Sequence, residues 1–218
     1  MNICTQISEA VQKGKKDVNV LVQQALDEGL SPKTILNEGL LAAMDIIGEK
    51  FKNNEIYVPE ILIAARAMGI GTAVLKPHLA EAGVESIGKV ALGTVKGDLH
   101  DIGKNLVRMM LEGKGIEVID LGVNVSAEQF IEAYEKEGVG IIACSALLTT
   151  TMGEMKRVVD LLVEKGYRDK VKVMVGGAPI TESYCKSIGA DYYTPDAASA
   201  ADVAKSVLER KGSMLKEG

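Results

Sequence analysis

The feature that most limits what this chain can fold into is a change of period near residue 85. Before it, apolar residues recur every three or four positions; after it, they come in five short runs, each followed by a polar-capped helical pattern. The first period makes amphipathic helices that bury a stripe against one another. The second makes short buried strands joined by crossover helices, the connection that parallel strands require. The sequence therefore predicts an α + α/β protein, with an N-terminal four-helix bundle cap over residues 1–84 and a doubly wound five-stranded parallel sheet over residues 85–218.

Local signals place the elements. Ile7 and Val11 begin a stripe that Gly14 interrupts, and Val18, Leu21, Val22, Ala25 and Leu26 carry a second one to Gly29, a residue suited to the position just past a helix end. Ser31-Pro32 supplies a capping oxygen and a proline preset for a first helical turn, opening a third helix through Ile35, Leu40, Met44, Ile47 and Phe51. Asn53-Asn54 marks a turn, Pro59 opens a fourth helix along Ile61, Leu62, Ala65, Met68, Thr72 and Leu75, and Pro77 is its predicted end. Residues 81–88, rich in glycine and small side chains, read as a linker and a hinge for the cap. The strands are expected at 90–95, 117–121, 140–146, 171–175 and 190–193.

Several function classes are disfavoured. A net charge of -5 with scattered lysines does not suit a surface that neutralises phosphates, and with no Trp and only 4% aromatic residues a base-stacking platform is poorly supplied. No nucleic-acid partner is expected. Neither a basic-then-apolar leader nor an apolar run near the ~18 residues of a bilayer crossing is apparent, so no membrane partner and a cytoplasmic location are expected. Cys4, Cys144 and Cys185 have no C-x-x-C spacing, which suits neither a disulfide framework nor a structural zinc site, and they read as inert buried thiols.

Ligands of open parallel sheets bind beyond the carboxyl ends of the strands. The first such loop is Gly97-Asp98-Leu99-His100-Asp101-Ile102-Gly103, and it holds one of the two histidines. A neutral imidazole is a good transition-metal ligand, and a carboxylate two residues away is placed to accept the other ring N–H. One histidine cannot build a protein-only zinc site, so a metal here should arrive already held by a macrocycle. On the residues alone, a surface or hydrogen-bonded core histidine remains open. So do a plain helix cap for the Ser/Thr run after the third strand and a tight turn at Gly176-Gly177. His78, away from every strand end, reads as solvent-facing or interdomain rather than as a ligand.

Asp98-x-His100-x-x-Gly103, followed by Ser145-Ala146-Leu147-Leu148-Thr149-Thr150-Thr151-Met152 and Gly176-Gly177-Ala178, resembles the cobalamin-binding module of methionine synthase. The same motifs resemble the corrinoid methyl-carrier proteins of the methylamine/methanol-type methyltransferase systems. Gly48-x-x-Phe51 and Tyr57-Val58-Pro59-Glu60 resemble the helical cap of that family, so the likeness covers nearly the whole chain. The resemblance implies a flavodoxin-like α/β domain that binds cobalamin or a related corrinoid, with His100 as the lower cobalt ligand in place of the cofactor's own base. Asp98 would hydrogen-bond His100, and Thr151, where family members often have Ser, would continue the relay. Gly97, Asp101, Ile102 and Leu147 belong to the same cofactor-binding set. Ser145 and Thr149 would meet the nucleotide tail, Gly103, Gly176 and Gly177 would allow its close approach, and Ala197 would line its cleft. Met44, Phe51, Met68 and Leu75 read as bundle core, with Phe51 and Tyr57 the favoured covers of the methyl face.

The implied function is a carrier in one-carbon metabolism of the methanogenic or acetogenic kind, alternating between cob(I)alamin and methylcob(III)alamin. It would accept a methyl group from a substrate-specific corrinoid methyltransferase and yield it to a second methyltransferase acting on tetrahydrofolate or coenzyme M. A reductive activase would be a further partner, and the carrier would not be catalytic alone. Methylamines, methanol, quaternary amines and methoxylated aromatics all remain possible donors. The rival readings are the small cobalamin-binding subunit of an adenosylcobalamin-dependent mutase, which lacks such a cap, a corrinoid-sensing regulator, and a flavodoxin-like domain with an incidental histidine.

Overall fold

The structure, a computed structural model, describes residues 2–214, and the chain passes from a helical unit into an α/β unit at Ser86–Ile87. Helix α1 (Ile3–Gln12) starts where the side chain of Asn2 accepts from the Cys4 N–H at 3.1 Å, and α2 is Val18–Asp27. Ser31 caps the next run by accepting from the Thr34 N–H at 3.1 Å. That run is α3 (Pro32–Thr34), a π-helical stretch Ile35–Leu41, and α4 (Ala42–Lys52). The single third helix expected from the sequence is thus interrupted by a wider turn. Apolar spacing does not resolve such a turn; Gly39 lies within it, where an added Cβ would stand 3.0 Å from Ile7 Cγ2.

Helix α5 (Val58–Glu81) corrects two expectations. Pro77 lies inside it rather than at its end, since a proline removes only one N–H donor and the stop comes later. Gly83, at φ +65°, lets the Val84 N–H reach back to Leu79 O at 2.9 Å, the closing bond of a helix C-terminus. The helix is also 24 residues long, with mean hydropathy 1.5 over its most apolar window, long and apolar enough to cross a membrane by length and composition. Its buried positions, Ile61, Ala64, Ala67, Met68, Gly71 and Leu75, nonetheless fall at three- and four-residue intervals, with Arg66 exposed opposite them. That is the pattern of a helix packed by one face into a bundle. Its partners there include Leu40, Val18 and Val22, which approach Gly71. Met44 is buried with them, Phe51 is half-buried, Tyr57 is 67% exposed, and His78 is half-buried in the last turn of α5.

The α/β unit alternates β1 (Lys89–Val95), α6 (Ile102–Glu112), β2 (Glu117–Val125), α7 (Ala127–Glu137), β3 (Ile141–Ser145), α8 (Gly153–Glu164), β4 (Lys172–Gly176), α9 (Glu182–Ser187), β5 (Tyr192–Tyr193) and α10 (Ala197–Met214). All strand pairs are parallel, in the order β2-β1-β3-β4-β5. The order reverses between β1 and β3, so the loops after these two strands diverge and leave a crevice at their C-terminal ends. The alternation of side chains along a strand splits the unit in two. Ala91, Ile142 and Val173 face one way, into a core with Phe130, Ile131, Val158 and Leu162. Val90, Leu92, Ala143 and Met174 face the other way, toward α6 and α10. Gly93 makes room for the core side, where an added Cβ would lie 2.9 Å from Phe130 Cζ.

Phe130 is fully buried. Phe130→Ala should lower unfolding free energy by about 3–5 kcal/mol in urea titrations. Ser126→Ala, which removes the cap oxygen that accepts from the Gln129 N–H at 3.4 Å, should cost about 1 kcal/mol.

Candidate functional site

At the switch point, the loop after β1 is fixed from three directions. The Thr94 hydroxyl, buried on the strand, donates to His100 O at 2.8 Å. Asn124, at the end of β2, accepts from the Gly97 N–H at 2.8 Å through its side chain and donates its own N–H to Asp98 O at 3.0 Å. Asn124 sits at φ +56° and Gly97 at φ +81°, left-handed conformations that asparagine and glycine adopt with least strain. Thr94 and Asn124 are missing from the sequence expectation because a strand threonine and a strand-end asparagine carry no periodic signal.

Asp98, with no solvent exposure, is the hub. Its Oδ1 accepts from the His100 N–H at 3.1 Å and from His100 Nδ1 at 2.6 Å. Its Oδ2 accepts from the backbone N–H groups of Leu147 and Leu148, at 2.8 and 3.2 Å, and from the Thr151 hydroxyl at 3.0 Å. That hydroxyl also lies 2.9 Å from Leu148 O, so its one proton is shared between two acceptors. Burial alone would push the Asp98 carboxyl up. The bonds from His100 and from the N–H groups of Leu147, His100 and Leu148 outweigh burial and hold it well below the usual carboxylate range. The group is therefore a carboxylate at neutral pH and can only accept. It follows that His100 carries a proton on Nδ1, the tautomer in which Nε2 is the ring nitrogen left to act as a ligand. The side chain of His100 is 50% exposed, so that nitrogen is accessible.

Beside this loop a cleft of about 380 Å³ opens between the sheet and helices α6 and α10. Gly103, Ser145, Gly176, Gly177 and Ala197 line it, which brings five of the residues singled out in the sequence to one place. Gly177 has no substitute there: at φ +126°, an added Cβ would lie 1.9 Å from Ala146 O. Asp98, Leu147 and Thr151 form the network under the histidine. Gly97, Asp101 and Ile102 lie exposed on the loop, with Asp101 accepting from Asn105 Nδ2 at 3.1 Å. Thr149 is exposed and outside the set that lines the cleft. Leu99, Ile102, Leu147 and Leu148 leave apolar surface on the two loops that bring His100 and Asp98 together.

Lys104 also lines the cleft and was not singled out in the sequence, because its partners lie across the fold. Its ammonium is buried between Asp120 Oδ1, at 2.7 Å, and Asn105 Oδ1, at 2.8 Å. Lys104 and the Gly122 N–H, with Arg108 beside them, lower the Asp120 carboxyl against the opposing effect of burial. All three cysteines are buried and unpaired; burial pushes the Cys144 thiol up to about 12, which leaves it inert. No group of three or more His, Cys, Asp or Glu side chains that could hold a metal ion occurs among the described residues. A transition metal taking His100 Nε2 would need its remaining ligands from a macrocycle.

Comparison with known proteins bears on this geometry. The B12 binding domain family matches residues 88–203, and a second B12 binding domain family matches residues 3–76. The chain is 39% identical over 212 residues to a corrinoid protein of Desulfitobacterium hafniense, covering 95% of this chain and 98% of that one. It is 41% identical over 204 residues to the dimethylamine corrinoid protein of Methanosarcina barkeri, covering 93% and 96%. Among solved structures, the methanol:cobalamin methyltransferase complex MtaBC from Methanosarcina barkeri superposes with a TM-score of 0.86 at 30% identity, covering 94% of this chain and 79% of that one.

Asp98→Ala would orphan several buried donors at once. It should cost about 3 kcal/mol or more in chemical denaturation, while Thr151→Val should cost about 1 kcal/mol and Thr151→Ser less. Gly177→Ala should lower stability by about 2 kcal/mol or more, read as a fall in the denaturation midpoint with unchanged slope.

Proposed function

The chain belongs to the family of B12-binding corrinoid proteins, and we propose that within it His100 is the lower ligand to cobalt in a protein that carries methyl groups between methyltransferases. The observation that carries this reading is the pair formed by Asp98 and His100. A buried carboxylate fixes Nδ1–H at 2.6 Å and leaves Nε2 outward, next to a cleft large enough to take a tail. The residues present fit a corrinoid on the chemistry of their donors: one imidazole for the metal, apolar loop side chains for a macrocycle's underside, and a glycine-lined cleft for a nucleotide. Bound there, the corrinoid supplies a cobalt centre that takes up a methyl group and releases it.

The chain's own residues supply binding, orientation and proton placement. Asp98 sets the tautomer and tilt of His100, and Thr151 holds a shared proton against the same carboxylate. Gly97, Asp101, Ile102 and Leu147 frame the loop on which the ring stands. Ser145, Gly176, Gly177 and Ala197, with Gly103 from α6, would hold the nucleotide tail, whereas Thr149 is exposed outside the set that lines the cleft. We assign residues 1–84 to a helical cap and residues 85–218 to the corrinoid-binding domain. The match of a B12 binding domain family over residues 3–76 supports that division and speaks against a cap-less mutase subunit.

Relatives named for dimethylamine and trimethylamine, and a superposable complex named for methanol, support a substrate:corrinoid methyltransferase as the donor partner. The donor itself is chosen in that partner's pocket. Onward transfer would be to tetrahydrofolate or coenzyme M through a second methyltransferase, with a reductive activase to restore the carrier. The reading places the chain in the cytoplasm, in keeping with three unpaired thiols.

Nitrogen hyperfine structure in the electron paramagnetic resonance of the Co(II) form tests the ligand. With protein carrying ¹⁵N-histidine and reconstituted with hydroxocobalamin, then reduced, the three-line pattern of ¹⁴N should become the two-line pattern of ¹⁵N. His78→Ala should preserve that change and His100→Ala should abolish it. An unaltered ¹⁴N pattern in labelled native protein would remove His100 from the cobalt.

A further inference from the structure

We infer that Asn124 is a positioning residue for His100: two bulges in β2 carry it to the turn that follows β1, and its hydrogen bonds there set how the histidine is presented to cobalt. The inference deepens the corrinoid reading above and rests on it.

The strand register shows the device. Leu92 pairs with Asp120 and Val95 with Val125, so β1 advances three residues while β2 advances five, with register shifts on either side of the Gly93–Gly122 pair. Bulges are uncommon between parallel strands and gather at sheet edges and beside active sites; β2 is an edge strand of this sheet. Both ends of the irregular stretch are anchored. Asp120 accepts from the Gly122 N–H at 3.0 Å and from Lys104 Nζ at 2.7 Å, which ties the first bulge to the opening turn of α6. Val125 is buried in the core that holds Phe130. Between these anchors Gly122 and Asn124 take left-handed backbone, at φ +82° and +56°. Asn54 is the only other non-glycine residue with positive φ among the described residues.

An edge strand can also bulge simply to turn its free N–H and C=O groups away from other chains. Here the extra residue spends its polar groups on the histidine loop instead. Val95, Lys96, Gly97 and Asp98 form a turn closed by the Asp98 N–H on Val95 O at 3.1 Å. Gly97, third in that turn at φ +81°, has the sign that a type II turn requires there. Asn124 Oδ1 accepts from the Gly97 N–H at 2.8 Å, and the Asn124 N–H reaches Asp98 O at 3.0 Å. One residue thus grips both of those that lead toward His100. Because the Asp98 carboxylate orients the ring, a turn of the Asp98 backbone would swing the imidazole with it. Without an acceptor at position 124, the Gly97 N–H goes to water and the segment keeps one of its two ties to β2. Loss of a group that orients a metal-bound histidine typically weakens metal binding about tenfold or more.

The test compares Asn124→Gly, which keeps the left-handed backbone and deletes the acceptor, with Asn124→Asp, which keeps both. The full chain and each variant carry ¹⁵N-histidine and are reconstituted with hydroxocobalamin. Two quantities are read: the dissociation constant, from absorbance titration, and, after reduction to Co(II), the fraction of the electron paramagnetic resonance signal with the two-line splitting of ¹⁵N. Asn124→Gly should bind about tenfold or more weakly and lose a large part of the two-line fraction, whereas Asn124→Asp should stay close to native in both. Should Asn124→Gly not fold, Asn124→Ser, whose shorter side chain lacks the carbonyl, is read in its place. A native two-line fraction in the glycine or serine variant, or equal losses in that variant and Asn124→Asp, would overturn the inference and leave the corrinoid reading standing. A native chain that retains cobalamin with no two-line splitting would overturn both.

Discussion

Five hydrogen bonds converge on one buried carboxylate, and they come from two different loops. Asp98 and His100 follow β1, whereas Leu147, Leu148 and Thr151 follow β3. The strands are neighbours only because the sheet order reverses between them, so the switch in topology is what brings the loops within reach of one charge. That charge performs three tasks: it ties the two loops, it fixes the tautomer of the histidine, and it orders the backbone from which the imidazole projects. A neutral side chain would leave at least two buried N–H groups without a strong acceptor.

The outer residues of the loop complete this arrangement from the other side. Asn124 reaches from β2 to both ends of the Gly97–Asp98 segment, and Thr94 holds the carbonyl of His100. The histidine is thus held through main chain and ring together, by residues of β1 and β2 and by the carboxylate that the loop after β3 holds in place. Lys104, buried, and Asp120, at the surface, add an ion pair between α6 and β2, which positions the helix that walls the cleft.

Much of this was legible in the sequence, and the parts that were not share a cause. The change of period gave the two units, and Asp98-x-His100-x-x-Gly103 gave the loop, because regular spacing and a short motif are local properties. Pro77 was misread because proline signals a break only when the backbone has no other stop, and Gly83 supplies one six residues later. The π-helical stretch Ile35–Leu41 was invisible because one extra residue in a turn barely alters an apolar stripe. Asn124 and Lys104 were missed because their meaning lies in partners across the fold. The apolar character of α5 was underestimated because Arg66, Lys76 and Pro77 break its sequence into short runs, while hydropathy averages over them.

The two faces of the sheet are finished differently. On one, Phe130 and its neighbours complete a core from the chain's own side chains; on the other, Leu92, Ala143 and Met174 end at open space. A guest that fills this space becomes a missing layer of the interior, present in the folded state and without a counterpart in the unfolded one. Binding and folding are then linked by mass action. With a corrinoid as the proposed guest, the melting point of the protein would become a function of free corrinoid concentration, and a cell short of the cofactor would hold a protein that is both unloaded and easier to degrade.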